Sequence, residues 1–223
     1  KFYMEEQVYI VPREKLFEGK PLPQGFGRNN PEQLLQLILQ HGRFEPRSPV
    51  EINPDLKQII PYLIVSCNDK ILTLHRQSAQ TEKRLHDKYS IGVGGHINPV
   101  ELKSQITNLS AQSDGVRIPS DKSQKNATNI IEKGLERELH EELHVNCSYQ
   151  HKLVGFLNDD SNAVGQVHFG LVFKVEVADE KSVTVAEKEL MNGQFMTLSE
   201  IEPLYPRLET WSQLVFDNLL RKT

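Results

Sequence analysis

The sequence predicts an α+β layered domain, on three observations. Two stretches read as β-hairpins around turn-forming Asn/Asp clusters, a few amphipathic helices lie among them, and the order is not that of a doubly wound parallel sheet. At 223 residues, with 25% charged and 38% apolar side chains, the chain can bury a sizeable core and has an ordinary soluble balance. The longest apolar run, residues 59–67, is far too short to span a bilayer and contains Pro61. Twenty-six basic and 30 acidic side chains give a net charge of −4, no general pull towards nucleic acid. Cys67 and Cys147 form neither a disulfide framework nor a C-x-x-C pair. No basic-then-apolar leader opens the sequence, so the expected location is the cytoplasm.

Taken in order, residues 7–12 alternate as a strand, and the Pro/Gly-rich residues 19–27 read as a loop. Asn30-Pro31 opens a helix whose stripe is Leu34, Leu35, Ile38 and Leu39, and Gly42 stops it. Residues 59–66 and 71–75 form the first hairpin around Cys67-Asn68-Asp69-Lys70. A strand over 89–93 leads into Gly94-Gly95. Residues 102–128, rich in Ser, Gln, Asn, Lys and Asp, read as a long surface loop. A helix is expected over 129–145, with Leu135, Leu139 and Leu143 at i, i+4, i+8. Residues 153–157 and 167–177 flank Asn158-Asp159-Asp160-Ser161-Asn162 as a second hairpin. A strand at 194–196, a helix start at 199–202 and an amphipathic helix over 208–220 complete the chain. That last helix carries Trp211, Val215 and Leu219 on one side, with Trp211 read as core. There are no repeats.

The densest chemistry lies in Arg137-Glu138-Leu139-His140-Glu141-Glu142-Leu143-His144-Val145. At i, i+3 and i+4, Glu138, Glu141 and Glu142 fall within a sector of about 100° of one helix, beside the leucine stripe. Three carboxylates so placed repel one another unless a cation sits among them, and hard oxygen donors suit Mg²⁺ or Mn²⁺. A solvated acidic face is the alternative from the helix alone.

Gly94-Gly95-His96-Ile97-Asn98-Pro99-Val100-Glu101, combined with Arg-Glu-Leu-x-Glu-Glu at 137–142, resembles the Nudix box, G-x5-E-x7-R-E-U-x-E-E-x-G-U with U aliphatic. Residues 58–203 follow the expected order of elements. Glu101 and Arg137 lie 36 positions apart (137 − 101) where the box has 8. A segment within 102–128 is therefore inserted, and either Glu101 or Asn129 takes the place of the box glutamate. His144 stands where the box has glycine, with the helix expected to run on through it.

The resemblance implies an α/β/α sandwich around a mixed sheet over 58–223, with residues 1–57 as an extension packed on the same domain. It implies that Glu138, Glu141, Glu142 and the Gly95 carbonyl ligate Mg²⁺, or Mn²⁺, with Arg137 orienting the carboxylates. The implied reaction is hydrolysis of a phosphoanhydride in a nucleoside-diphosphate-X type of small molecule, and a homodimer is compatible with it. The metal neutralises anionic oxygens so that water can displace one phosphate. A box glutamate, Glu187 or Glu189 is the candidate base.

Two rival readings share these residues. His140-Glu141-Glu142-Leu143-His144 fits the H-E-x-x-H helix of zinc metalloproteases, without an evident third ligand and with no role for Arg137 or Glu138. A non-catalytic Nudix-like nucleotide-binding module is the other. His96 reads as a turn residue, His168 as a hydrogen-bonded strand histidine, and Asp159 and Asp160 as Asx-turn residues. Arg13, Arg28 and Arg76 are unranked candidates for anionic substrate groups.

Overall fold

The sheet is built on two long apolar runs that are buried on both faces, which is why they read as continuous hydrophobic stretches. The computed structural model describes residues 5–16, 18, 20, 23–76, 87–99, 120–186 and 191–221, and the side chains within these ranges except those of 120–129.

The strand β1 (Gln7–Pro12) is followed by one helical turn, α1 (Arg13–Leu16). A short strand, β2 (Gly25–Gly27), forms inside the stretch read as loop, because three residues suffice to pair with a sheet edge. The helix α2 (Pro31–His41) begins and ends as expected and buries Leu34 and Ile38. The strand β3 (Arg43–Pro46) and the turn α3 (Arg47–Val50) are too short to leave a periodic signal. The hairpin β4 (Leu56–Cys67) and β5 (Lys70–Arg76) turns at Asn68, whose φ of 55° suits its short polar side chain. The strand expected over 89–93 is divided into β6 (Tyr89–Ser90) and β7 (Val93–Gly94). Between them the Ile91 amide donates to Ser212 Oγ (3.0 Å) instead of to a neighbouring strand.

The acidic helix α4 (Ser120–Glu142) departs from expectation at both ends. Residues 120–128, assigned to the inserted loop, lengthen the helix, since extending an existing helix is far easier than nucleating one. Residues 100–119 lie outside the described residues. At its other end the helix stops at Glu142, and Leu143–Val145 becomes a strand, β8. Next come β9 (Tyr149–Asn158), the short helix α5 (Ala163–Val167), β10 (His168–Val177) and β11 (Val183–Val185). The pairing of β8 with β11 is what takes 143–145 out of the helix. The chain ends with β12 (Met191–Thr197), α6 (Leu198–Ile201) and α7 (Thr210–Val215), which continues in wider turns over Phe216–Leu220.

The sheet order is β12-β5-β4-β10-β9-β2, with β1 and β7 also on β4, β6 on β5 and β3 on β1. β4 and β10 are parallel and the other pairs antiparallel, so the sheet is mixed. Ile59, Leu63 and Val65 of β4 pack with Ile38, Leu135 and Leu139 on one face. Tyr62 and Ile64 pack with Val215 and Phe216 on the other. This is the expected α/β/α sandwich. Among the described residues, no helix is long and apolar enough to cross a membrane.

Candidate active site

The buried stripe Leu135, Leu139 and Leu143 fixes the rotation of α4 against the sheet. Glu138, next to that stripe, is carried inside with it and is buried. There its carboxylate lies against Gly95: a Cβ at that glycine would overlap Oε1, Oε2 and Cδ of Glu138. Arg137 closes the arrangement. Its Nη2 pairs with Glu138 Oε1 (2.8 Å) and donates to the His96 carbonyl, while Nη1 pairs with Glu141 Oε2 at 2.5 Å. The acidic helix and the glycine pair, separated by the insertion in sequence, thus meet through one guanidinium and one carboxylate.

Burial raises the Glu138 carboxyl to about 7, opposed by Arg137 and reinforced by the negative charges of Glu141 and Glu142. Glu141 is exposed and engaged with Arg137, and Glu142 is half-buried. Among the described residues, no three His, Cys, Asp or Glu side chains are gathered in an arrangement that would hold a metal ion. The donor set nonetheless fits a hard dication in kind: a desolvated carboxylate, two further carboxylates close enough to disturb it, and a backbone at Gly95 bared by the missing Cβ.

Of the other expected residues, Glu101, Glu187 and Glu189 lie outside the described residues, as does the side chain of Asn129. The chain leads to 187 through Ala186, whose amide donates to the Glu142 carbonyl (2.9 Å). His140 is on α4 but His144 is on β8, paired with Thr184. The two histidines therefore do not share one helical face, and the H-E-x-x-H geometry of a zinc protease is not formed.

A cleft of about 790 Å³ opens at Gly94, Gly95 and His96. Its walls include Arg47 and Glu51, α5 and His168, and Arg76, Glu209 and Trp211. His96 Nε2 and His168 Nε2 are 3.1 Å apart, and His168 Nδ1 lies 2.7 Å from the Val164 carbonyl. Since a carbonyl only accepts, His168 donates from Nδ1 and takes the proton of His96 at Nε2. Burial, then Arg47 and His168, push His96 down to about 4, and burial lowers His168 as well, so both rings are neutral at neutral pH.

Asp159 and Asp160 do close a turn, with Asp159 Oδ1 accepting from the Ser161 amide at 3.1 Å. Asp160 has a further role that sequence reading missed. It holds Arg13 in two bonds (2.9 and 3.1 Å) and Lys57 at 2.7 Å. Arg28 donates to the Asn218 carbonyl, and Arg76 pairs with Glu209 beside the cleft. Arg47, absent from the sequence candidates, is held by Glu6 (2.9 Å) and Glu51 (2.7 Å). A basic residue in a one-turn helix offers no sequence signal.

No family model matches the chain. Protein YmaB of Bacillus subtilis (strain 168) is 31% identical over 223 residues, covering 97% of this chain and 98% of that protein. The crystal structure of Tm1382, described as a candidate Nudix hydrolase, shares 27% identity with a TM-score of 0.74, over 98% of this chain and 100% of that one. DR0079 from Deinococcus radiodurans, at 11% identity and a TM-score of 0.51 over 97% of this chain and 100% of its own, shares the fold. With a split Nudix box reassembled around Arg137, Glu138 and Gly95, and with relatives matched along nearly its whole length, the chain belongs to the Nudix hydrolase family.

Proposed function

We propose that the chain is a Mg²⁺-dependent pyrophosphohydrolase, with Mn²⁺ able to substitute, acting on a nucleoside diphosphate linked to a second group. The observation that carries this reading is the buried Glu138 carboxylate held between Arg137 and the Cβ-less Gly95. In it Glu138, Glu141, Glu142 and the Gly95 carbonyl hold the metal, whose part is to neutralise phosphate charge. Arg137 fixes where two of those carboxylates stand, and the rigid backbone at 94–96 presents the diphosphate to them. Glu141, Glu187 and Glu189 are the candidates for taking the proton of the attacking water, which needs a carboxylate within hydrogen-bond reach.

The test is a panel of nucleotide sugars, dinucleoside polyphosphates, ADP-ribose and oxidised nucleotides, assayed with Mg²⁺. Glu141→Gln and Glu142→Gln are each expected to lower kcat by about 100-fold or more, the usual effect of removing a group that stabilises developing charge. Chelation by EDTA is expected to abolish turnover and added Mg²⁺ to restore it. Full rates in both variants would remove these carboxylates from the mechanism.

A second reading, a non-catalytic nucleotide-binding module, is favoured by one observation: the three carboxylates are not gathered, and Glu141 is bound to Arg137. It predicts nucleotide binding without turnover of any panel member.

A further inference from the structure

Trp211 is the single tryptophan of the chain. It joins the apolar cluster on the Tyr62 face of the sheet but is only partly buried, and it lines the cleft that opens at Gly95. Its position is fixed from several sides. The Tyr62 ring meets it edge-on at 5.6 Å and 82°. The backbone of β10 runs beneath it at Gly170, where a Cβ would come within 3.1 Å of Cζ3. The neighbouring Ser212, fully buried, is bonded to Tyr62 Oη (2.9 Å), Ser90 Oγ (3.2 Å) and the Ile91 amide (3.0 Å). The start of α7 is thereby tied to the segment between β6 and β7 that leads to Gly94-Gly95. A half-open indole in such a rigid frame is a preorganised aromatic surface.

The charges of the cleft indicate what that surface receives. Arg76 is paired with Glu209 beside Trp211, and Arg47, elsewhere in the lining, is paired with both Glu6 and Glu51. Around Trp211 the cleft therefore offers partly exposed aromatic surface beside a neutralised ion pair. That is an environment for an uncharged planar ring, and a poor one for a phosphate.

We propose that Trp211 is the platform on which the nucleobase of the substrate stacks, while the diphosphate lies at Gly95 and Glu138. This rests on the pyrophosphohydrolase reading for the position of the diphosphate. The ring contact itself is measurable without any turnover. Base–aromatic stacking carries about 1–3 kcal/mol per base by alanine substitution, or roughly 5- to 150-fold in affinity.

Because Trp211 is the sole indole, its fluorescence in the full chain reports on this cleft alone. Titration with ADP, GDP, CDP and UDP, up to about 1 mM, the upper end of ordinary KM values, is expected to give saturable quenching by at least one of them. Inorganic pyrophosphate is expected to give none. Calorimetry with the quenching nucleotide is expected to show at least about fivefold weaker binding to Trp211→Ala. Trp211→Phe, which keeps a ring, is expected to recover most of the affinity. Gly170→Ala, which pushes a methyl group at the indole from below, is expected to weaken binding while leaving the ring present. The proposal is overturned if no nucleoside diphosphate changes the fluorescence, if pyrophosphate changes it equally, or if Trp211→Ala binds as tightly as the parent. Should quenching occur while the substrate panel shows no hydrolysis, the pyrophosphohydrolase reading fails and the platform stands.

Discussion

Exchanging Asp160 for asparagine is expected to destabilise the fold by about 3–5 kcal/mol, the usual consequence of leaving a buried charge without its counter-ion. Lys57 is fully buried at the start of β4, and its ammonium reaches Asp160 Oδ1 at 2.7 Å and the carbonyls of Gly165 (2.8 Å) and His168 (3.3 Å). Arg13 grips the same carboxylate and also donates to the carbonyls of Pro54 (2.6 Å) and Gln166 (2.8 Å). Asparagine keeps the shape and loses the charge, leaving two cations facing each other without their counter-ion.

The deficit depends on pH in a defined direction. Burial first, and the charge of Arg13 in addition, bring Lys57 down to about 8 against the pull of Asp160. The folded protein therefore sheds this proton before the unfolded chain does. Between about 8 and 10.5 the unfolded state binds more protons, and the Lys57 contribution makes stability rise with pH. The carboxyl of Asp160 is held far below its usual range by its bonds to Arg13, Lys57 and Gln24, despite partial burial. It thus keeps its charge, and its stabilising effect, through mild acid. Without Asp160 the ammonium becomes still easier to deprotonate, so the gap between variant and parent is expected to narrow from about pH 6 to about pH 9.5. Urea unfolding of both proteins at the two pH values measures this. A gap that does not change would show that Lys57 is not the charge Asp160 serves.

The second large effect is on activity. Gly95→Ala is expected to lower kcat by about 100-fold or more, as loss of a positioned electrostatic group does, while changing stability by less than about 1 kcal/mol. The atoms nearest the new methyl group would be those of the Glu138 carboxylate. A carboxylate at the end of a flexible side chain can swing aside at little expense to the fold, but it then no longer stands beside Arg137 and residue 95. Thermal melting beside steady-state kinetics separates the two consequences. An active Gly95→Ala protein with an unchanged melt would mean that the Glu138–Gly95 contact does not serve the reaction.

These cases also mark how far the sequence could be read. The stripe Leu135, Leu139, Leu143 repeats every four residues, so the facing of the acidic helix follows from local periodicity, and the burial of Glu138 beside it follows from the same geometry. The ion cluster does not, because Arg13 and Asp160 are 147 positions apart and only the closed sheet brings them together. The end of α4 escapes the local pattern for a related reason. Leu143-His144-Val145 suits a helix locally, and its exit into a strand is dictated by Val183–Val185 forty residues later. Trp211 sits on an amphipathic stripe and so reads as core. That it also borders a cleft depends on α5 and β7, which belong to other parts of the chain.

The register of β1 has a practical corollary for anyone cutting this protein down. Ile10, Val11 and Pro12 lie against Gln58, Lys57 and Leu56, the Tyr9 amide donates to the Ile97 carbonyl two residues beyond Gly95, and Arg13 reaches Asp160. A chain begun at residue 58 would lose a neighbour of β4, lose Lys57 and the whole cluster of Val8, Ile10, Val50 and Leu56, and leave the glycine segment without one of its anchors. The described residues ahead of β4 are thus part of the masonry of the sheet.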